Sequence, residues 1–419
     1  MTKKPLFLVV QAARFGDLVQ TGGLIKSLQK KGVVHICLDV SLKGLAALLF
    51  PEAILHGVNF HKIADSAAIR ENIAVFDDLS RNTYTQVYNC NFSPLTAALC
   101  RLFPASILSA YRASRHADGA LWRSEWMRLF FRFSSNRRIS SFNLVDVWRL
   151  LSSGALPPEK INPVACGGGK GVGVVLAGRE SRRSLPAPVL AQIITICARK
   201  LKNPPLRLFG TEQEKILAHK LLRLLPPDIQ LVTKDLSGKT GWPELIAELK
   251  GLDLLLSPDT GTMHLGASLG VPVMAFFLSS AWAHETGPYG AGHLVWQSVQ
   301  ACSPCLEKEA CPHGLRCLEP FSSKAFQKAL VQVLSASRVE CPEGLQLWQT
   351  AFDRAGQTLS LLAGKDPDRE VRLTARNLTI DKFNLADNVL DIFSAQKLKD
   401  IQPLLFPESE WMLPPWRYC

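Results

Sequence analysis

From residue 172 to residue 277 short apolar runs alternate with stretches of helical spacing, and this alternation constrains the fold more than any other feature. The runs at Val172 to Ala177, Leu206 to Phe209, Ile229 to Val232, Leu252 to Ser257 and Val271 to Phe277 have strand length and are mostly apolar. Strands covered on both faces read this way. Between them, Pro188 to Leu201, Thr211 to Leu225, Pro243 to Lys250 and Thr262 to Leu269 carry helical periodicity. Such an order predicts a parallel sheet wrapped by helices.

A similar series opens the chain. Leu6 to Val10 reads as a buried strand, Leu18 to Lys31 as a helix stopped by Gly32, and Val33 to Leu38 as the next strand. Further strands are expected at Gln86 to Cys90 and around Ile107 to Tyr111. Residues 112–150, rich in Arg, Trp and Phe, give no clean period. A Pro- and Gly-containing stretch, Leu156 to Gly171, reads as a linker. The expected architecture is therefore α/β, with Rossmann-like domains over 1–160 and 171–336 facing across a cleft. Residues 337–419 are expected to form a mainly helical C-terminal extension, ending in Trp411 to Cys419.

With 419 residues, 47% hydrophobic and 20% charged, the chain can bury two cores without staples. Its formal charge of +12 attracts polyanions without choosing among them. The basic residues are spread out and no aromatic RNA-binding stretch occurs, so nucleic acid is not expected as a partner. No apolar run approaches the roughly 20 residues that span a bilayer. The first residues faintly imitate a signal peptide, but their short apolar core reads as a strand, so a cytoplasmic location is expected.

The strongest local signal is Leu254 to Pro272: strand, tight turn, helix, Gly stop, strand. Asp259 or Thr260 can cap the helix, and Gly261 lets a ligand approach the backbone. A helix amino end of this kind suits an anion such as a diphosphate. A well-capped helix with no ligand is the alternative. The string Asp259-Thr260-Gly261-Thr262-Met263-His264-Leu265-Gly266-Ala267 resembles the signature of the ADP-heptose:lipopolysaccharide heptosyltransferases, glycosyltransferase family nine. Other pieces follow in that family's order: Arg14-Phe15-Gly16-Asp17, Gly178 with Arg182-Arg183-Ser184-Leu185-Pro186, Gly238-Lys239-Thr240 with Glu244-Leu245, and His284 to Gly290. The resemblance spans roughly residues 5–335.

The resemblance implies a GT-B type fold and an inverting transfer, without a catalytic metal, of a heptose from ADP-heptose to an acceptor hydroxyl. The first domain would bind the acceptor and the second the nucleotide sugar. Asp17 matches the family's general base, although an Asp at a helix start is equally a cap. Arg183, with Arg182 as a substitute, stands where a phosphate-contacting lysine is usual, and arginine keeps the charge while changing the geometry. Glu244 matches a ribose contact. Gly178, Thr240, Asp259, Thr260, Gly261, Thr262 and His264 complete the expected nucleotide-sugar site. Gly266 replaces a usual alanine, and Leu185 a usual tryptophan.

Cys302, Cys305, Cys311 and Cys317 are spaced so that four thiolates could close on a structural zinc or iron. Some family relatives hold iron with a comparable cluster, and others keep plain thiols. The expected acceptor is the lipopolysaccharide inner core at the inner face of the inner membrane, an anionic surface. A protein acceptor, or a non-catalytic nucleotide-sugar-binding protein of the same fold, are the alternatives.

Overall fold

The computed structural model describes residues 4–12, 14–60, 66–114, 121–177, 181–306 and 310–382. These form two compact units. One holds the described residues up to Ser140, Leu144–Ile161 and those from Thr374 on; the other holds Ser141–Asn143 and Asn162–Leu373.

The first unit contains Leu6–Gln11 (β1), Val33–Asp39 (β2), Ile54–Val58 (β3), Gln86–Asn89 (β4), Leu108–Ala113 (β5) and Leu121–Arg123 (β6). They form one sheet of order β3-β2-β1-β4-β5-β6, parallel except for the final β5–β6 pair. β3 and β6 escape the sequence reading because both are short edge strands. One is interrupted by His56 and Gly57, and the other is three residues long. The expected single helix over 18–31 is two, Phe15–Gln20 (α1) and Gly22–Gln29 (α2). Between them the Thr21 hydroxyl turns back and donates to the Leu18 carbonyl at 2.8 Å. Gly23 lets α2 press on the helix Leu144–Arg149 (α3): a Cβ there would meet Val145 Cγ1 at 3.2 Å and Arg149 Cβ at 3.3 Å. Within the aperiodic 112–150 region, the helix Glu125–Ser135 buries Trp126, Met127, Leu129, Phe131 and Phe133 while Arg128 and Arg132 face solvent.

The second unit contains Val172–Val175 (β7), Leu206–Phe209 (β8), Thr233–Asp235 (β9), Leu254–Ser257 (β10), Val273–Phe277 (β11), Leu294–Ser298 (β12), Leu345–Asp353 (β13) and Gly356–Ala363 (β14). Their order is β14-β13-β12-β11-β10-β7-β8-β9. β7 to β12 pair in parallel, and β13 and β14 add an antiparallel hairpin at one edge. The helices that matter for the site are Ala187–Lys200 (α4), Trp242–Lys250 (α5) and Gly261–Ser268 (α6). The core runs from Val172, Val174 and Leu256 through Ile193 and Ile194 of α4 to Trp296 and Phe326.

Two expectations are corrected here. Ile229 to Val232 is not a strand: Pro227–Leu231 is a short helix opened by its proline, and β9 starts only at Thr233. Ile229 is fully buried while Leu231 is 88% exposed, so the apolar run is one helical face and its neighbour rather than a two-sided strand. The C-terminal extension is also not helical at its start. Residues 345–363 are the β13–β14 hairpin, and the helix Arg369–Lys382 (α7) follows. The Leu345-Gln346-Leu347-Trp348 alternation and the Gly356 turn carried that information. Trp411 to Cys419 lie outside the described residues.

In each sheet the parallel order reverses direction once, between β1 and β4 and between β7 and β10. Doubly wound folds take ligands at the carboxyl ends of the strands flanking such a switch. Asp17 follows β1, and Asp259 follows β10.

Candidate functional site

β10 ends at Ser257, and after a three-residue turn α6 begins at Gly261. Thr260 is the cap: its backbone is extended and its hydroxyl accepts the Met263 N–H at 3.2 Å. Capping by Thr260 leaves the Asp259 carboxylate for other work. One of its oxygens, Oδ2, takes both the Arg183 Nη2 and the Thr286 hydroxyl, the latter at 2.9 Å. Its other oxygen lies 3.6 Å from His264 Nε2. Asp259 and His264 are both buried. Burial pushes the Asp259 carboxyl up, but the Arg183 guanidinium, His264 and Thr286 together outweigh it and hold it below the usual carboxylate range. Three residues expected at the site are thus brought together, with Thr286 as a fourth.

This arrangement shapes what the α6 amino end can do. The first N–H groups of a helix lack intrahelical acceptors, and Gly261 and Thr262 present theirs beside half-buried side chains. The positive end and Arg183 already face a carboxylate. An anion placed at this helix end would share Arg183 with Asp259 rather than find it alone. Gly266 on the same helix has a local cause. A Cβ at that position would meet Leu255 Cδ2 of β10 at 2.6 Å, so Leu255 fills the space of the usual alanine methyl.

The remaining expected residues are dispersed. Arg182 donates to the Leu306 carbonyl at 2.5 Å. Thr240 follows β9, and Glu244 lies in the first turn of α5, exposed. Both stand at the carboxyl edge of the sheet, outside the Asp259 group. Gly178 lies outside the described residues. Leu185 lines a cavity of about 10 Å³ with Leu176, Leu256, Pro258 and Phe276. In the first unit Asp17 is half-buried in the first turn of α1. It is not the cap. Arg14 holds that position, with φ 52°, and no side chain caps the helix.

The cysteines share a neighbourhood, since Cys302, Cys305 and Cys311 all act electrostatically on Cys317. Cys302 is exposed, Cys305 and Cys311 are half-buried, and Cys317 is buried. Burial raises the Cys317 thiol, with the other three thiols adding to the rise. Backbone N–H groups of His313 and Leu315 lower that of Cys311. Among the described residues no three His, Cys, Asp or Glu side chains are placed to hold a metal ion. A structural zinc or iron at these four thiols remains a proposal from their spacing.

Comparison with known proteins separates the two units. Residues 198–314 match the model of glycosyltransferase family 9 (heptosyltransferase). The matched residues all lie in the second unit. That segment includes Thr240, Glu244, the whole of α6 and Thr286, and leaves Asp17, Arg182 and Arg183 outside it. Among curated proteins no sequence matches the chain. Among solved structures, the glycosyl transferase family 9 protein from Veillonella parvula DSM 2008 is 17% identical with a TM-score of 0.54, over 80% of this chain and 99% of that one. E. coli heptosyltransferase WaaC with ADP is 15% identical with a TM-score of 0.53, over 70% and 93%. The same enzyme with ADP-2-deoxy-2-fluoro heptose gives 17% and 0.50, over 69% and 92%. At these identities the likeness is one of fold: two Rossmann-like units of the GT-B type.

The residue that sequence reasoning missed is Thr286. It stood inside the quoted His284 to Gly290 string with no role attached. Its proximity to Asp259, 27 positions earlier, exists only once β11 has been laid beside β10.

Proposed function

We propose that this protein is an inverting glycosyltransferase that moves a heptose from ADP-heptose to an acceptor hydroxyl, with the nucleotide sugar held by the second unit. The observation that carries the reading is the Arg183–Asp259–His264 group at the amino end of α6, within and beside the family 9 segment. Guanidinium and helix end supply fixed positive charge where a leaving diphosphate gains negative charge, so catalysis needs no metal in this reading. Gly178, Thr240 and Glu244 are assigned to the nucleotide sugar with them. Asp17 is assigned the role of general base, accepting the acceptor proton as the new glycosidic bond forms.

The acceptor in this reading is the lipopolysaccharide inner core, reached from the cytoplasmic side by a peripheral protein whose +12 charge suits an anionic surface. No helix among the described residues is long and apolar enough to cross a membrane. Purified protein tested against a panel of nucleotide sugars decides the donor. ADP and ADP-heptose raise the unfolding midpoint, as ligands of the folded state must, while UDP and GDP sugars leave it unchanged. Equal stabilisation by UDP sugars, or none by ADP-heptose, sinks the assignment.

A further inference from the structure

The Asp259 carboxylate has a support that reaches back into the sheet. Gln297 on β12 is buried, and its side-chain amide grips the preceding loop from both sides. Its Oε1 accepts the Ala283 N–H at 3.0 Å, and its Nε2 donates to the Ala281 carbonyl at 3.2 Å. This fixes the one-turn helix Ala283–Thr286, whose last N–H donates to the Trp282 carbonyl at 3.0 Å. From the other side the Asn143 amide donates to the Gly287 carbonyl at 3.0 Å. The Thr286 hydroxyl leaves this clamped turn and donates to Asp259 Oδ2, the same oxygen that takes Arg183.

A carboxylate can swing about its last torsion, which is broad and two-fold rather than staggered. The Thr286 hydroxyl removes that freedom. We infer that Thr286 is a positioning residue of the donor site: it locks the rotation of the Asp259 carboxylate and so sets where the Arg183 guanidinium meets a diphosphate. The inference rests on the proposed donor reading and deepens it. It also accounts for a buried acid beside a helix end meant for an anion. Held in one orientation, Asp259 presents Arg183 at a fixed place instead of screening it.

Calorimetric titration of the full chain with ADP tests this, with unfolding midpoints measured alongside. Thr286→Val removes the hydroxyl and keeps the shape; it weakens ADP binding about tenfold, the effect of losing one hydrogen bond to a charged group. Thr286→Ser restores binding to within about twofold, since one hydrogen bond is all that matters. Thr286→Ala is run beside Val, so the result does not depend on how one replacement packs. In an Asp259→Asn background the valine substitution costs nothing further, because the residue it acts through no longer carries the charge. Wild-type affinity in both the Val and Ala variants overturns the inference. So does an equal loss with and without the Asp259 charge, which marks Thr286 as merely structural. If wild-type protein takes up no ADP, the donor reading falls, and the inference falls with it.

Discussion

Asp259 joins a buried charge to three partners drawn from different parts of the chain, and only one of the three, His264, was visible as a neighbour in sequence. Its position after β10 and its conversion into an active contact by Thr260 capping follow from local chemistry. The Arg183 and Thr286 contacts follow from strand order and could not be read. Asp17 was legible as a residue at a helix start but not as a third helical residue, because nothing in Arg14-Phe15-Gly16 announces a left-handed backbone at Arg14. For Asp17→Ala we expect turnover to fall by roughly 10²- to 10⁴-fold, the usual worth of a general base, with ADP affinity unchanged; initial rates and ADP titration measure both. Undiminished turnover removes Asp17 from the mechanism. A second buried group predicts pH dependence. His35 Nδ1 lies 2.8 Å from His56 Nε2 and 3.0 Å from the Tyr84 hydroxyl, and His56 Nδ1 lies 3.1 Å from Asp78. Burial lowers His35 from 6.5 to about 4, with His56 adding to the fall, and burial lowers His56 as well. Both groups are neutral in either state above the unfolded value. As pH falls from about 6.5 towards 4, the unfolded chain takes up protons that the folded one refuses, so stability is lost across that window. The unfolding midpoint of the full chain drops between pH 7.5 and 5, and a His35→Gln/His56→Gln variant flattens the slope. A wild-type midpoint indifferent to pH there contradicts the assignment.

At the scale of elements, period and punctuation served for most strands inside the sheets but missed the buried interior strand β12, whose Leu294-Val295-Trp296-Gln297-Ser298 run lacks flanking helical spacing, and served poorly at sheet edges. β7, β8, β10 and β11 were found within two residues because each lies inside the sheet. β3, β6, β9 and β14 were missed or displaced because edge strands need bury only part of their surface, and β13 was missed with the hairpin it opens. α6 was legible almost to the residue, through its cap and its Gly270 stop. Its packing was not, since the reason for Gly266 is a methyl group on β10. Replacing Gly266 by Ala gains up to about 1 kcal/mol of helix propensity but drives a methyl into Leu255, an overpacking cost of roughly 1–3 kcal/mol. Gly266→Ala alone therefore lowers the unfolding midpoint, and Gly266→Ala with Leu255→Val restores part of it. Scanning calorimetry settles the order. A single variant more stable than wild type shows that Leu255 has room to move.

For the whole molecule, the two-domain division and the GT-B type fold were readable because both rest on repeated local alternation. The extension was not. Its hairpin completes the second sheet by pairing with β12, 47 residues before β13 in the register at Ser298 and Leu345, and pairing at that distance has no local signature. The functional reading therefore stands on the second unit and on the anion site proposed at α6. Crystals of the full chain grown with ADP test it most directly. The account predicts density for the diphosphate at the amino end of Gly261–Ser268, with Arg183 in contact and Asp259 still on Thr286. A diphosphate seated elsewhere on the second unit, with the Arg183–Asp259 pair untouched, contradicts it.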